Sequence, residues 1–400
     1  MLTVDQALEI ILGSVKDIGH ESIGLHRACG RILAEDVIAD SDLPPFDRAR
    51  MDGYALRSED ATLAPVTLRL IGEVPAGASF NGSVASGEAV KIFTGAPVPD
   101  GANAVQKMEV TKQDGATVTI YEPAVSGQFI TPRASEIRTG DVAAARGREI
   151  GPAGTAVLAS FGYASIRVAR RPRIAVLSTG DELVDVSEKP TGAQIRSSNG
   201  FTIASYASRA GAQAEILGIV RDTLEETVKA LEEASLGRDI VITSGGVSMG
   251  DYDLVKAALT SIGAELYFDK VSIRPGKPTV FARRGDTYFF GLPGNPVSTS
   301  VTFNVFVRPA IKKMLGAADV SLPAITACAS RGVKDGSSRR SFLPASVFVR
   351  NARLMAEPLK WGGSSDLVAF MKANGLIVVP EDLHQIHEGG DIQVLLLNPF

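Results

Sequence analysis

The chain reads as a multidomain α/β plus β protein: a central, mostly parallel α/β domain with a β-rich insert on its N-terminal side and a C-terminal β domain. Three observations carry that reading. From about 174 to 315, buried-strand and helix patterns alternate at βα length, which implies a parallel sheet covered by helices on both faces. From Met51 to about Ile130, and again beyond Gly316, short alternating or β-branched runs are punctuated by Gly and Asp. A length of 400 residues also exceeds what one ordinary core holds. The boundaries expected are 1–50 together with 133–170 as an N-terminal linking domain, 51–132 as the insert, 171–316 as the α/β domain and 317–400 as the last.

Taken in order, Thr3-Val4-Asp5-Gln6 is a capping box, with Thr3 as N-cap and Gln6 three residues on. Val4, Ala7, Leu8, Ile11, Leu12 and Val15 then mark one face of a helix expected to end near Gly19. Residues 25–39 are short helix or strand material, and 41–50, with two prolines and mixed charge, reads as a hinge or exposed loop. In the insert, strands are expected over 66–71, 89–93, 104–110 and 117–121, and Asp114-Gly115 is a hairpin turn. Residues 133–147 form the return crossing, Pro152 opens a short helix, and 169–173 reads as a basic linker.

The alternation then runs strand 174–177, helix 198–210, strand 214–220, helix 223–234, strand 239–243, and a helix to about Ile262. Strands at 265–268, 279–282 and 287–291 precede a long apolar helix over 297–315. Beyond it, 345–349 and 375–379 are strand candidates.

Composition narrows the function classes. A formal net charge of −4 lacks the basic bias of a nucleic-acid binder, so an anionic small substrate would need local Lys and Arg clusters. Cys29 and Cys328 stand far apart in no metal-ligand spacing and read as isolated buried thiols. The N-terminus has no basic segment followed by an apolar core, and no apolar run approaches ~20 residues; a cytoplasmic protein without a membrane span is expected.

The chemistry centres on residues 240–253. Ile240 to Thr243 is a buried strand, residues 244–251 are mostly small or polar with three glycines, and Leu254 starts a helical face. Such a turn offers backbone N–H groups and a helix N-terminus to an anion, phosphate first, so Ser244, Gly245, Gly246 and Ser248 are candidate ligand-binding residues. Many βα turns contain Gly and bind nothing. The same residues also fit G-x-S-x-G, the nucleophile elbow of a serine hydrolase, which would require His384 or His387 as its base.

Ligands of an open α/β sheet sit outside the carboxyl ends of its strands, and topology places Glu182, Asp222 and Asp253 on that edge. Three carboxylates there suit a hard cation such as Mg²⁺, bridged to phosphate; a bland alternative is that Asp181 or Asp222 caps the following helix. Lys270, Arg274 and Lys277, with Pro and Gly fixing the backbone between two strands, suit an anion clamp. The turn Gly291-Leu292-Pro293-Gly294-Asn295-Pro296 is stiff enough to wall a pocket, although it would also serve simply to start a helix.

These motifs occur together, in this order, in molybdopterin molybdenumtransferases, the MoeA and gephyrin E-domain proteins. The chain resembles that family at Thr179-Gly180-Asp181-Glu182, at Ser244-Gly245-Gly246-Val247-Ser248 with Asp253, at Arg274-Pro275-Gly276-Lys277-Pro278 and at Gly291 to Ser298. Met51-Asp52-Gly53-Tyr54-Ala55 and Thr94-Gly95-Ala96-Pro97-Val98-Pro99 extend the resemblance upstream, and Arg339 or Arg340 with Gly363-Ser364 carry it downstream. It implies insertion of molybdate into adenylylated molybdopterin, Mg²⁺ and release of AMP. It also implies an elongated homodimer, with 1–50 and 133–170 in dimerisation and an active site between the two subunits. An adenylyltransferase would supply the substrate and molybdoenzymes would accept the product. Roles carry over to Asp52, Thr94, Glu182, Asp222 and Asp253, and to Lys270, Arg274, Lys277, Pro293, Pro296, Arg339 and Ser364. Position 274 is often Lys in that family; Arg keeps the charge and adds a planar, bidentate fork.

Two other readings compete. The sister class that adenylylates molybdopterin uses a turn closer to S-G-G-T-G, where this chain has Val247-Ser248. A receptor-clustering scaffold, as gephyrin also is, would call for a long linker or added module, and the sequence has no such stretch.

Overall fold

The computed structural model describes residues 1–247 and 254–397. The first helix, α1 (Val4–Ser14), forms as its capping box dictates: the Thr3 hydroxyl accepts from the Gln6 N–H at 3.2 Å, and the Gln6 side chain accepts from the Thr3 N–H at 3.0 Å. It stops well short of Gly19 because Val15 takes extended backbone, φ −76° and ψ 131°, and turns its side chain into the core. Val4, Ala7, Ile11 and Val15 bury against Phe306, Ile311 and Met314 of the α/β domain.

The insert is a six-stranded sheet built from β1 (Gly53–Leu56), β2 (Val66–Val74), β3 (Glu88–Ile92), β4 (Ala104–Lys107), β5 (Thr111–Asp114) and β6 (Thr117–Ile120), in the order β4-β1-β3-β2-β6-β5. The Asp114-Gly115 turn joins β5 to β6 as an antiparallel hairpin, Asp114 opposite Thr117. Each face of the sheet covers its own apolar cluster. The stretch expected as a hinge or loop is more ordered than that. Arg48–Ala49 pairs antiparallel with Ile130–Thr131, and Leu43 bridges Ile137. Asp42 accepts from Arg133 Nε at 2.6 Å and from the Thr139 N–H at 2.9 Å.

After α2 (Pro152–Ser160), the expected basic linker is an anchored joint. Ser165–Ala169 pairs antiparallel with His20–Gly24. Arg170 then grips Asp239 with both terminal nitrogens, at 3.0 and 2.7 Å, while the same carboxylate accepts from the Arg173 N–H at 2.7 Å. Such a bidentate, charge-assisted pair fixes geometry as well as attracting.

The α/β domain contains β7 (Arg173–Thr179), α3 (Asn199–Ala210), β8 (Gln213–Val220), α4 (Leu224–Ser235), β9 (Ile240–Ser244), α5 (Leu254–Ser261), β10 (Glu265–Phe268), β11 (Ile273–Arg274), β12 (Val280–Arg284) and β13 (Thr287–Leu292). Its sheet runs β8-β7-β9-β13-β12-β10; β8, β7, β9 and β13 are parallel, and β12 runs antiparallel to both its neighbours, β13 and β10. Apolar clusters lie on both faces, as the unbroken apolar strands require. The long apolar helix forms as α6 (Pro296–Thr302) and α7 (Arg308–Met314), with a π turn over Phe303–Val307 just ahead of Pro309. Pro309 has no N–H to donate, which interrupts the regular ladder there.

The C-terminal domain is a barrel. Strands β14 (Ala324–Ala329), β15 (Arg340–Arg350), β16 (Arg353–Pro358), β17 (Gly375–Val379) and β18 (Asp391–Leu396) close in the cycle β15-β16-β14-β18-β17-β15, around a core that includes Ala345, Val347, Ile377 and Val394. A short helix, α8 (Leu367–Phe370), precedes β17. The barrel's outer partner is β11 of the α/β domain, which runs parallel to β15 with Ile273 beside Arg340. Cys29 is exposed and Cys328 half-buried, so the expectation of two buried thiols fails, most clearly for Cys29. Among the described residues no helix is long and apolar enough to cross a membrane.

Arg340 also reaches back to the N-terminus, holding Asp5 through two bonds of 2.6 and 2.8 Å. Those bonds keep the Asp5 carboxyl below its ordinary value. A carboxylate depressed on folding stabilises the protein above its unfolded value of about 3.9, and that contribution disappears as pH falls through the folded value. Asp5→Asn is therefore expected to lower the melting temperature near pH 7, with the gap from the wild type narrowing as pH drops below about 4. Thermal melts across pH 3–7, roughly the range over which carboxylates titrate, check this.

Candidate functional site

Two cavities meet along the carboxyl ends of the central strands. The first, of about 510 Å³, is lined by Thr179, Gly180, Glu182, Asn199, Asp222, Ser244, Gly245, Gly246 and Pro296, among others. The second, of about 690 Å³, lies between the α/β domain and the barrel, and carries Arg274, Lys277, Lys334, Asp335, Arg339, Trp361 and Ser364. Pro278, Pro293 and Asn295 belong to both walls.

The glycine turn is shaped by close approach to β7. Gly245 has φ +97°, and a Cβ there would lie 2.4 Å from the Thr179 carbonyl oxygen; Gly246 has φ +65° with Thr179 Oγ1 2.8 Å from a Cβ position. Side chains are excluded on both counts. The Gly245 N–H is not offered to a ligand, since it donates to the Leu292 carbonyl at 3.1 Å. The Gly246 N–H has no partner among the described residues. Ser248 and Asp253 lie outside the described residues.

The other half of this wall was not read from the sequence. Asn199 starts α3 and donates from Nδ2 to Ser244 Oγ and to the Gly294 carbonyl, both at 2.7 Å, so one amide ties the glycine turn to the proline turn. Its Oδ1 and the hydroxyl of Thr179 are buried without a hydrogen-bond partner among the described residues. Two orphaned polar atoms on one cavity wall are what a polar ligand would satisfy. The signal available was Ser198-Asn199-Gly200 at a helix start, which reads as ordinary capping chemistry.

The acid edge is present in part. Glu182 and Asp222 both line the smaller cavity. Burial first, then the carboxylates of Asp181 and Glu182, push the Asp222 carboxyl above its ordinary value. Asp222 does not cap α4; Thr223 does, accepting from the Glu226 N–H at 3.3 Å. Among the described residues no group of three His, Cys, Asp or Glu is placed to hold a metal ion by itself. Two crowded carboxylates, one of them partly desolvated, nevertheless fit Mg²⁺, which commonly takes one or two protein carboxylates and completes its shell with phosphate and water.

Of the three expected cations, Arg274 and Lys277 line the larger cavity and Lys270 lines neither. Arg274 pairs with Asp335, a barrel residue whose side chain is 3% exposed. Arg339 donates to the Ile273 carbonyl at 3.1 Å and so stands beside Arg274, whereas Arg340 is committed to Asp5 and Glu381. Ser364 docks on the proline turn: its hydroxyl accepts from Asn295 Nδ2 at 3.0 Å and its carbonyl from the Val297 N–H at 2.9 Å. Lys334 and Asp335 also line it and were missed, because a lone Lys-Asp at the end of a two-residue strand has no distinguishing pattern.

Asp52 and Thr94 line neither cavity. They are a built pair nonetheless. Asp52 Oδ1 accepts from both the N–H and the hydroxyl of Thr94, each at 2.7 Å, which holds its carboxyl below the ordinary value. No histidine is among the residues lining the smaller cavity; His384 and His387 flank a short strand of the C-terminal domain.

A parallel α/β domain with an anion-ready cleft at its strand ends, faced by a small barrel and carrying a β-rich insert, defines a multidomain ligand-binding protein of the α/β class. Family models match along nearly the whole chain: the MoeA N-terminal region (domain I and II) over residues 2–162, the probable molybdopterin binding domain over 175–313, and the MoeA C-terminal region (domain IV) over 326–397. The chain belongs to the MoeA family of molybdopterin molybdenumtransferases. It is 34% identical to the molybdopterin molybdenumtransferase of Staphylococcus aureus, over 99% of this chain and 95% of that one. Identity to the Staphylococcus epidermidis enzyme is 33%, over the same shares. Two solved structures of the molybdopterin biosynthesis MoeA protein from Pyrococcus horikoshii superpose with TM-scores of 0.82 and 0.84, at 31% and 29% identity. They cover 100% and 99% of this chain and 100% of each neighbour.

The Arg274–Asp335 pair makes a prediction of its own. One oxygen of Asp335 already lacks a partner, so Arg274→Ala leaves a buried carboxylate without its counter-ion. Because the Arg274 side chain is half-exposed, that loss is expected to cost about 1–3 kcal/mol in urea denaturation. Arg274→Ala combined with Asp335→Leu should recover most of it, since the buried charge is then gone.

Proposed function

We propose that this chain transfers molybdenum from molybdate into adenylylated molybdopterin with release of AMP, as a cytoplasmic, Mg²⁺-dependent homodimer. The observation that supports this reading is the pairing of two cavities of opposite character across one shared wall. The acid-edged cavity at the glycine turn suits the phosphates of the substrate, and the cavity with four cations suits a tetrahedral oxyanion.

In this reading Gly246, Ser244, Thr179 and Asn199 bind the phosphate end, where close backbone approach and orphaned polar atoms await partners. Glu182 and Asp222, with Asp253 from the sequence pattern, would hold Mg²⁺. Bound there, Mg²⁺ supplies charge neutralisation on the phosphates as AMP departs. Lys277, Arg339 and Ser364 anchor molybdate, and Arg274, oriented by Asp335, presents its remaining guanidinium edge to the same anion. Pro293 and Pro296 stiffen the dividing wall. The ionised Asp52, fixed by Thr94, completes the cleft from the other protomer, which explains why it stands apart from both cavities within one chain. An adenylyltransferase supplies the substrate and molybdoenzymes take the product. The hydrolase reading has no histidine to draw on at the glycine turn.

The deciding assay incubates the protein with adenylylated molybdopterin, Mg²⁺ and molybdate, and measures AMP and molybdenum-loaded cofactor. Both should form in step; formation of neither would overturn the proposal. Lys277→Ala and Arg339→Ala are each expected to weaken molybdate binding by about 10-fold or more, the scale of one charge-assisted contact of ~1.5–3 kcal/mol. Equilibrium dialysis with molybdate reads this directly. Sedimentation at micromolar concentration should give a dimer, and a fully active monomer would remove the shared-site element.

A further inference from the structure

The larger cavity is too roomy for an oxyanion alone. Its volume is about 690 Å³, and cavities of about 300–1,000 Å³ take ligands of many heavy atoms. Part of its wall is apolar, formed by Leu343, Pro358 and Trp361, the only tryptophan in the chain. Trp361 is half-buried, and with Leu359 it packs against the main core cluster. Its indole N–H has no partner among the described residues.

The loop that carries this ring is fixed at both ends. Asp366 accepts from the Gly362 N–H at 2.9 Å and from the Ala369 N–H at 3.0 Å, closing the turn just after Trp361. Ser364 binds the loop to the Asn295 turn. An indole held in the cavity wall with Arg274, Lys277, Lys334 and Arg339 suits a ligand that is planar and aromatic at one end and anionic near it.

We propose that Trp361 is the stacking platform for the pterin ring of the substrate; this rests on the reading above that the cleft takes adenylylated molybdopterin and molybdate. The assignment to pterin rather than adenine follows from the chemistry. Molybdenum enters at sulfur atoms borne by the pterin half, so that half must lie beside the oxyanion cations. The adenylyl half belongs at the glycine turn and the acid edge.

Calorimetric titration of the full chain with 6-hydroxymethylpterin phosphate, AMP and molybdate tests this. Trp361→Leu should raise the Kd for the pterin phosphate by about 10-fold or more, and Trp361→Phe by less, because a smaller ring still stacks. Affinities for AMP and molybdate should stay within about two-fold. If Leu disturbs the packing against the core cluster, as a thermal melt would reveal, Trp361→Met keeps an adaptable apolar side chain and carries the same test. Unchanged pterin affinity in a folded Leu or Met variant overturns the platform. So does a loss confined to AMP, or a wild-type protein that fails to bind the pterin phosphate. Failure of the wild type to bind AMP and molybdate would instead bring down the broader reading of the cleft.

Discussion

The parallel pairing of Ile273–Arg274 with Arg340–Ser341 is the contact on which the larger cavity depends. Two residues of the α/β domain become a strand of the barrel's sheet, so the barrel is joined edge to edge as well as by the chain that leads into it. Around this seam, Arg274 meets Asp335, Arg339 meets the Ile273 carbonyl, and the Leu2 carbonyl accepts from the Ser272 N–H at 2.7 Å. Arg274, Asp335 and Arg339 belong both to the seam and to the cavity wall. At these three residues, holding the domains together and shaping the cavity are the same interactions.

The smaller cavity has a different origin. It follows from the parallel sheet: β7 and β9 end side by side, and the turns after them must diverge. Glycine at 245 and 246 lets the second turn press against Thr179, while Asn199 reaches across to Ser244 and Gly294. The acids after β7 and β8 crowd together because their strands are neighbours, which adds to the burial that pushes the Asp222 carboxyl up.

Much of this was legible in the residues. The βα periodicity located the central strands and helices to within a few positions, because unbroken apolar runs and helical faces belong to residues buried on both sides of a sheet. The Thr3 capping box, the Asp114-Gly115 hairpin and the glycine turn also followed from local chemistry. What escaped was non-local. Ile273–Arg274 is too short to carry a period and sits against a proline. The barrel's closure depends on which strand meets which, and that information is spread over Arg340–Arg350 and Gly375–Val379 with no marker in either. Asn199, Lys334 and Asp335 acquire their surroundings only when distant segments meet. Arg170 looked like linker charge because its partner, Asp239, is far along the chain.

The insert hangs from the rest of the molecule by two strands lying side by side. Leu43 bridges Ile137, Val37–Ile38 pairs with Val142–Ala144, and Asp42 gathers Arg133 and Thr139. A single covalent tether would let the insert swivel about its bonds. A two-ply ribbon resists twisting more than bending across its plane, so rotation of the insert about its tether is the freedom this pairing removes. The ribbon thereby sets the attitude at which the insert carries the Asp52–Thr94 pair, as a strap hinge sets the face of the plate it holds.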